Sequence, residues 1–313
     1  MTSNNQATLL KHSKEEKMRT KSELRGVIAA IVTPFTEDEK LDEEGLRKVT
    51  NYLLKKGVHG IMTTGGNGEG PHLSQEERKT VTRVVVDVVK GQIPVIAGTA
   101  ACSTTETILL TKDAAEAGAT AAIVTPPFYY ILSDKCLYRH YERLAASVDI
   151  PIVVYNNPLY TGNNLQPELI AGLVNIDGII GLKQSNPDLG QLVEVIRLVG
   201  NNISILTGID SQFYPSLCAG SKGIFSTAAC VVPQQMVDLF NAFEKGSHAA
   251  ALAIHMKLQN LNHFFEYDPG YVAPCKEALM ILGLPAGPVS EPLPRLTEQQ
   301  KTQIRQTLLM ASE

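Results

Sequence analysis

Residues 151–185 of this chain are PIVVYNNPLYTGNNLQPELIAGLVNIDGIIGLKQS, and this stretch decides the fold. It begins with one apolar run, IVV, and ends with another, GIIGL, and polar side chains follow each run directly. Nearly continuous apolar, β-branched runs are typical of strands that are covered on both faces, as in parallel sheets. The stretch therefore predicts a strand, a helical connection and a second strand, with polar groups at the exits of both strands.

The same pattern repeats along the chain. Eight apolar runs of this kind begin at Val27, Gly60, Pro94, Ala121, Pro151, Gly178, Ser204 and Gly223. Amphipathic segments separate the runs, and one of them opens with a capping-box pattern from Ser74 to Glu77 and stops at Gly91. Eight strand–helix units within about 200 residues predict an α/β fold, namely a closed (β/α)8 TIM barrel. A doubly wound open sheet is the alternative topology.

The chain has 313 residues, which exceeds what the eight units need. Residues 1–24 are polar and rich in lysine, and we interpret them as an N-terminal arm. Residues 25–231 hold the strand–helix units and are expected to form the barrel. Residues 232–313 have helical periodicity and contain no strand candidate, so they predict a C-terminal helical extension.

Composition excludes several classes of protein. Hydrophobic residues make up 44% of the chain and the formal net charge is −4, which argues against disorder and against a nucleic-acid partner. No apolar run reaches the roughly 18 residues that cross a bilayer, so no membrane partner is expected. The beginning of the chain lacks the apolar stretch of a signal peptide. Five cysteines, interpreted as small buried hydrophobic residues, show no C-x-x-C pair, and the odd count favours a reducing, cytoplasmic location.

In a barrel of this type, catalytic groups lie where the strands end. Lys183 follows an apolar strand, and partial burial of its ammonium favours the neutral amine, which can attack a carbonyl and form a Schiff base. The alternative is a lysine that snorkels to the rim of the barrel. Tyr155 ends the preceding strand, where it is either a proton shuttle or a core tyrosine. The turn GGNGEG at residues 65–70 either binds a carboxylate through its N–H groups or is a plain tight turn.

Other chemistries lack their motifs. The seven histidines show no H-E-x-x-H pattern, so no metal site is expected, and no G-x-S-x-G elbow is present for a serine hydrolase. The GGNGEG turn is not a dinucleotide fingerprint, and no Walker lysine follows it. The sequence therefore predicts chemistry without a cofactor.

Four motifs occur in order along the predicted strands: GGNGEG, PPFYY, YNNPLYTG and GLKQSNPDL. Together they resemble the dihydrodipicolinate synthase/N-acetylneuraminate lyase family of class I aldolases, and the likeness extends from about Gly26 to Pro288. The resemblance implies a barrel with C-terminal helices, assembled as a homotetramer that is a dimer of dimers. It also implies that Lys183 forms an imine with pyruvate or another 2-oxo acid.

The resemblance assigns further roles. Tyr155 would relay protons, and Tyr129, or its neighbour Tyr130, would reach toward the active site of a partner subunit. Gly66 and Asn67 would lie at the substrate carboxylate. Family members carry Thr or Ser at these two positions, so Gly66 brings no hydroxyl, and the carboxylate contact is expected from backbone N–H groups and the Asn67 side chain.

The substrate is less well determined. Synthases of the family carry an arginine where this chain has Tyr160, and a phenol cannot replace a bidentate guanidinium. The expected sugar-chain contacts are Ser185, Gly208, Asp210 and Ser226, whereas Ser211 stands where sialic acid lyases have a glutamate. We therefore expect a lyase, an aldolase or dehydratase, that acts on a 2-keto-3-deoxy sugar acid or an N-acetylneuraminate-like substrate. The alternatives are 4-hydroxy-tetrahydrodipicolinate (dihydrodipicolinate) synthase, which condenses pyruvate with aspartate semialdehyde, and a non-catalytic sugar-acid-binding barrel.

Overall fold

The computed structural model of the chain describes residues 23–266 and 270–312. Residues 1–22, the greater part of the predicted N-terminal arm, lie outside the described residues. The predicted arm includes Leu24, but this residue is 4% exposed and packs inside the barrel against Ile28 and its neighbours, so it belongs to the core.

Eight parallel strands form a closed barrel, in which each strand pairs with the next and the first pairs with the eighth. The strands are β1 Gly26–Ala30, β2 Gly60–Thr63, β3 Val95–Gly98, β4 Ala121–Val124, β5 Ile152–Asn156, β6 Ile179–Gln184, β7 Ser204–Thr207 and β8 Gly223–Ser226. Almost every strand residue is buried, as expected for strands covered on both faces. The barrel prediction is confirmed, and the open-sheet alternative is excluded.

Helices surround the barrel and continue beyond it. They are α1 Glu43–Lys55, α2 Gln75–Val89, α3 Thr104–Glu116, α4 Asp134–Ala145, α5 Pro158–Thr161, α6 Pro167–Leu173, α7 Leu189–Val199, α8 Phe213–Cys218, α9 Ala228–Val231, α10 Pro233–Glu244, α11 His248–Glu266, α12 Val272–Ile281 and α13 Glu298–Ser312. The Ser74 side chain accepts from the Glu77 N–H and the Glu77 carboxylate accepts from Ser74, so the predicted capping box starts α2. None of the described helices is long and apolar enough to cross a membrane.

Apolar side chains inside and outside the sheet stabilise the barrel. The interior cluster includes Ile28, Met62, Ile96, Val153 and Phe225, and it fills the inside of the barrel. Two larger clusters lie between the sheet and the outer helices, and the first of them also includes residues of α10 to α13. The C-terminal helical region therefore shares a core with the barrel, and it is fixed against it rather than attached by a linker.

The cysteines depart in part from expectation. Cys230 and Cys275 are buried, whereas Cys102, Cys136 and Cys218 are exposed, and all five are free thiols. The three exposed thiols lie on the outer layer, where a cysteine contributes little to the core, so their interpretation as buried hydrophobic residues was wrong.

Candidate active site

Lys183 lies on β6 and points into the barrel near the ends of the strands. The residue is only 6% exposed, and its Nζ lies 4.2 Å from the centroid of the Tyr155 ring and 5.6 Å from that of Phe225. Gly208 makes room for it, since a β-carbon there would lie 3.1 Å from Lys183 Cγ and closer still to Cε. The amine is thus held against aromatic faces in a fixed direction, away from bulk water.

Tyr155 is the immediate neighbour of this lysine. β5 and β6 pair with Tyr155 opposite Lys183, as the spacing of the two strand exits predicts. The Tyr155 phenol oxygen accepts a hydrogen bond of 3.0 Å from Asn157 Nδ2. This donor orients the phenol and leaves its proton available for another acceptor.

A cavity of about 140 Å³ opens above these two residues. It brings together most of the predicted site residues: Gly66, Asn67, Tyr155, Tyr160, Lys183, Ser185, Gly208 and Asp210. The Ser185 hydroxyl is buried and has no hydrogen-bond partner among the described residues, so it is available to a bound molecule. The arrangement is a concave site with one reactive amine, one oriented phenol and several polar groups, at the face of the barrel where catalysis is expected.

Within the turn at residues 65–70, the Asn67 side chain is already engaged. Its Nδ2 donates to the Ala30 carbonyl at 2.6 Å and to Cys275 Sγ at 3.4 Å, while its Oδ1 is buried without a partner among the described residues. Both amide hydrogens are therefore engaged within the chain, and the Asn67 oxygen is free to accept a hydrogen bond. A carboxylate contact by the Asn67 side chain or by the backbone N–H groups of the turn stays a prediction.

The chain is similar to known proteins in sequence and in structure. Residues 23–311 match the Dihydrodipicolinate synthetase family. The chain belongs to that family. A 4-hydroxy-tetrahydrodipicolinate synthase of Methanothrix thermoacetophila is 38% identical over 292 residues, 92% of this chain and 97% of the relative. A protein of the same name from Syntrophus aciditrophicus is 40% identical over 286 residues, 91% of this chain and 97% of the relative.

Solved structures of the dihydrodipicolinate synthetase family have the same fold. A monomeric dihydrodipicolinate synthase variant superimposes with a TM-score of 0.89 at 32% identity, over 92% of this chain and 97% of its own. A prophage protein of the family from E. coli K12, solved in complex with pyruvate, gives a TM-score of 0.89 at 32% identity over 92% and 99%. The chain is therefore an enzyme of the lysine Schiff-base class, which sets aside the non-catalytic alternative. The relatives' names favour the synthase alternative over the expected sugar-acid lyase.

Two residues of the C-terminal region bind the turn at residues 65–70 through Glu69. The Glu69 carboxylate is buried, pairs with Lys276 Nζ at 2.5 Å, and accepts from the Ser290 N–H at 2.8 Å and its hydroxyl at 2.6 Å. Glu69 itself has a left-handed backbone with φ of 55°, which only a well-fixed turn holds in a residue other than glycine. The local sequence does not predict a role for Glu69, because its partner Lys276 lies about 200 residues further along the chain.

Asp210 and Ser226, both predicted sugar contacts, bind each other. One Asp210 oxygen accepts from the Ser226 hydroxyl, and the other accepts from the N–H groups of Thr227 and Ala228 at 3.1 Å each. Ser226 Oγ also accepts from the Ala229 N–H at 2.8 Å. These bonds join the exits of β7 and β8, and only Asp210 of the pair lines the cavity. A substrate contact by Ser226 stays a prediction.

A second carboxylate reaches the cavity from α11. Glu266 accepts from the Ser211 N–H at 2.7 Å and from its hydroxyl at 2.6 Å, beside Asp210. Glu266 is not predicted from the sequence, because nothing in the helical pattern of residues 232–313 shows which side chains face the barrel. Ser211, whose lack of a carboxylate argued against a sialic acid substrate, thus holds a carboxylate from elsewhere in the chain.

The pKa of Asp210 predicts a pH dependence of stability. Burial, reinforced by the Glu266 carboxylate and opposed by the hydrogen bonds to Asp210, raises this pKa from 3.8 to about 7. Between these values the folded state holds a proton that the unfolded chain has released. The stabilisation is complete below the lower value and is lost as pH rises, with a slope of up to about 1.4 kcal/mol per pH unit.

The measurement is the free energy of unfolding in urea between about pH 5 and 8 for the wild type and Asp210→Asn. We expect the difference in unfolding free energy between the wild type and Asp210→Asn to change with pH up to about pH 7 and then to level off. The exposed Asp177→Asn is the matched control and should run parallel to the wild type. A constant difference between Asp210→Asn and the wild type would contradict the raised pKa.

The two remaining predicted tyrosines differ in position. Tyr160 is 58% exposed at the cavity rim, and its ring packs edge-to-face on Tyr271 with centroids 5.9 Å apart. Tyr129 is 84% exposed, has a φ of 83° and packs only against Tyr130 among the described rings. Tyr129 does not line its own chain's cavity, and its role toward a partner subunit stays a prediction.

Proposed function

We propose that Lys183 forms an imine with pyruvate and that this enzyme uses the imine for aldol-type chemistry. The supporting observation is the buried Lys183 amine, 4.2 Å from the ring of Tyr155, at the cavity end of the barrel. The amine adds to the C2 carbonyl to give a carbinolamine, and loss of water gives an iminium that draws electrons from C3. Loss of a C3 proton yields an enamine, whose C3 is the nucleophile that forms the new carbon–carbon bond.

The first candidate for the second substrate is aspartate semialdehyde. The relatives named 4-hydroxy-tetrahydrodipicolinate synthase favour it. In this reaction the enamine C3 attacks the aldehyde carbon, and the aldehyde oxygen takes the proton of the Tyr155 phenol. Hydrolysis of the imine then returns the free amine of Lys183.

The second candidate is the reverse reaction on a 2-keto-3-deoxy sugar acid, and the residues around the cavity favour it. Tyr160 stands where a synthase would need a guanidinium for a second carboxylate. The Glu266 carboxylate adds negative charge to the cavity wall beside Asp210, and negative charge there disfavours a second carboxylate and suits a polyhydroxyl chain. In this direction the Tyr155 oxygen, which has first released its own proton to water in the cavity, takes the proton of the C4 hydroxyl while the C3–C4 bond breaks to leave the enamine.

A turnover screen separates the two candidates. One arm gives the enzyme pyruvate with aspartate semialdehyde and measures condensation, and the other gives 2-keto-3-deoxy acids or sialic acid and measures pyruvate release. Turnover near 1 per second or above in the first arm supports the synthase, and the same rate in the second supports the lyase. Activity in neither arm, with no pyruvate bound, would overturn the proposal.

Tyr155→Phe should separate imine formation from proton transfer. Removing the phenol proton should lower turnover by about 10²–10⁴-fold, the usual contribution of a general acid–base group. Imine formation at Lys183 should persist, because the ring that packs beside the amine is retained. Steady-state kinetics and borohydride trapping with pyruvate measure the two effects, and Tyr138→Phe on α4 is the control. An unchanged turnover number would remove Tyr155 from the mechanism.

Assembly and location are also proposals. We propose a homotetramer in the cytoplasm. Large apolar side chains at the barrel mouth support an interface between copies, since Tyr129, Tyr130, Ile131 and Leu159 are each at least 68% exposed.

A further inference from the structure

Tyr271 occupies the space beside Gly66. A β-carbon on Gly66 would collide with the phenol oxygen of Tyr271 and would lie 3.1 Å from ring carbon Cζ. The backbone of Gly66 does not have the positive φ that favours glycine, so its conformation allows a side chain. A side chain at residue 66 is therefore excluded by the Tyr271 phenol, which occupies the space that such a side chain would fill.

The phenol is fixed relative to the turn. Tyr271 is the N-cap residue of α12, and the next helical turn contacts the same loop at two further points. Cys275 Sγ accepts from Asn67, and Lys276 pairs with Glu69. Cys275, four positions after Tyr271, lies on the same face of the helix, and Lys276 directly follows it, so the start of α12 carries all three contacts.

Tyr271 also lies close to Tyr155, the proposed proton donor. It lines the cavity above Lys183 together with Tyr155, and both tyrosines also line a second cavity of about 300 Å³. Burial, together with the nearby Tyr155 and Tyr160 phenols, holds the pKa of Tyr271 well above its ordinary value. The group is therefore a neutral phenol, able to donate one proton while it accepts another.

We infer that Tyr271 is a positioning residue whose hydroxyl passes protons to and from Tyr155, in place of a hydroxyl side chain at residue 66. This inference rests on the proposed imine chemistry. When Tyr155 gives its proton to the substrate oxygen, Tyr271 transfers its own proton to the Tyr155 oxygen across a water in the cavity that both phenols line, and it takes a proton back from another water. In the cleavage direction the protons move the opposite way, and neither phenol is consumed.

Tyr271→Phe tests the hydroxyl with little change in packing. The turnover number should fall at least about tenfold, and the pH profile of kcat should change, because Tyr155 loses its proton partner. The KM for pyruvate and borohydride trapping at Lys183 should stay within about twofold of the wild type, since neither needs the relay. A wild-type turnover number and pH profile in Tyr271→Phe would overturn the inference.

Two double variants test whether a hydroxyl at residue 66 can replace the hydroxyl of Tyr271. Tyr271→Ala clears the space, and Gly66→Thr then supplies a hydroxyl from the turn itself. The matched control is Tyr271→Ala with Gly66→Val, which has the same shape without the hydroxyl. The threonine variant should turn over at least about tenfold faster than the valine variant, whereas equal rates would contradict the relay.

The outcomes also separate this inference from the proposed function. If the wild type forms no imine with pyruvate, the chemistry at Lys183 is wrong. If the wild type forms the imine and turns over, but Tyr271→Phe matches it, only the relay is wrong.

Discussion

Lys183→Met should lower turnover at least about 10³-fold, because no other group among the described residues of the cavity can form an imine. Methionine has a similar length and keeps the contacts with the rings of Tyr155 and Phe225. The fold should be retained, since the substitution removes a buried ammonium rather than a partner of a buried ion pair.

Steady-state kinetics measure the loss in Lys183→Met, and a urea unfolding curve confirms that the variant is folded. Lys112→Met, an exposed lysine on α3, is the matched control and should keep wild-type turnover. A folded Lys183→Met enzyme with more than about a tenth of wild-type turnover would show that the reaction does not pass through this amine.

Lys276→Met should have the largest effect on stability. Lys276 and Glu69 form an ion pair of 2.5 Å whose side chains are 1% and 0% exposed. Burial lowers the pKa of Lys276, while the attraction of the Glu69 carboxylate opposes this effect. Removing the lysine leaves a buried carboxylate without its cation, which costs about 3–5 kcal/mol in free energy of unfolding.

Two further variants give this stability prediction its controls. In Lys276→Met with Glu69→Gln no unpaired charge remains, so part of the lost stability should return. Lys79→Met breaks an exposed pair with Glu116 and should cost at most about 1 kcal/mol. Equal unfolding free energies for Lys276→Met and Lys79→Met would contradict a structural role of the buried pair. Since Glu69 belongs to the turn at the site, we also expect Lys276→Met to raise the KM for pyruvate.

The barrel and its reactive pair were predictable, because both follow from short-range patterns. Eight apolar runs define eight strands, and the order of strands around a barrel places the exits of β5 and β6 side by side. Tyr155 and Lys183 therefore had to be neighbours once the fold was assigned, and the structure pairs them directly.

The parts of the site that come from the C-terminal helices were not predictable. Glu266 and Tyr271 reach the cavity only through the packing of α11 and α12 against the barrel, and their local sequence carries no sign of that contact. The sequence shows only that Gly66 brings no hydroxyl to the turn. Only the structure shows a phenol in its place, because the two residues are about 200 positions apart in the chain.

The most direct test of the central claim is borohydride reduction of the wild-type enzyme in the presence of pyruvate, followed by mass spectrometry of its peptides. Reduction converts the imine to a stable secondary amine. We predict the mass increase of a reduced pyruvate adduct on the peptide that contains Lys183, and only when pyruvate is present. Pyruvate binding with an unmodified Lys183 peptide, or an adduct on another lysine, would contradict the assignment.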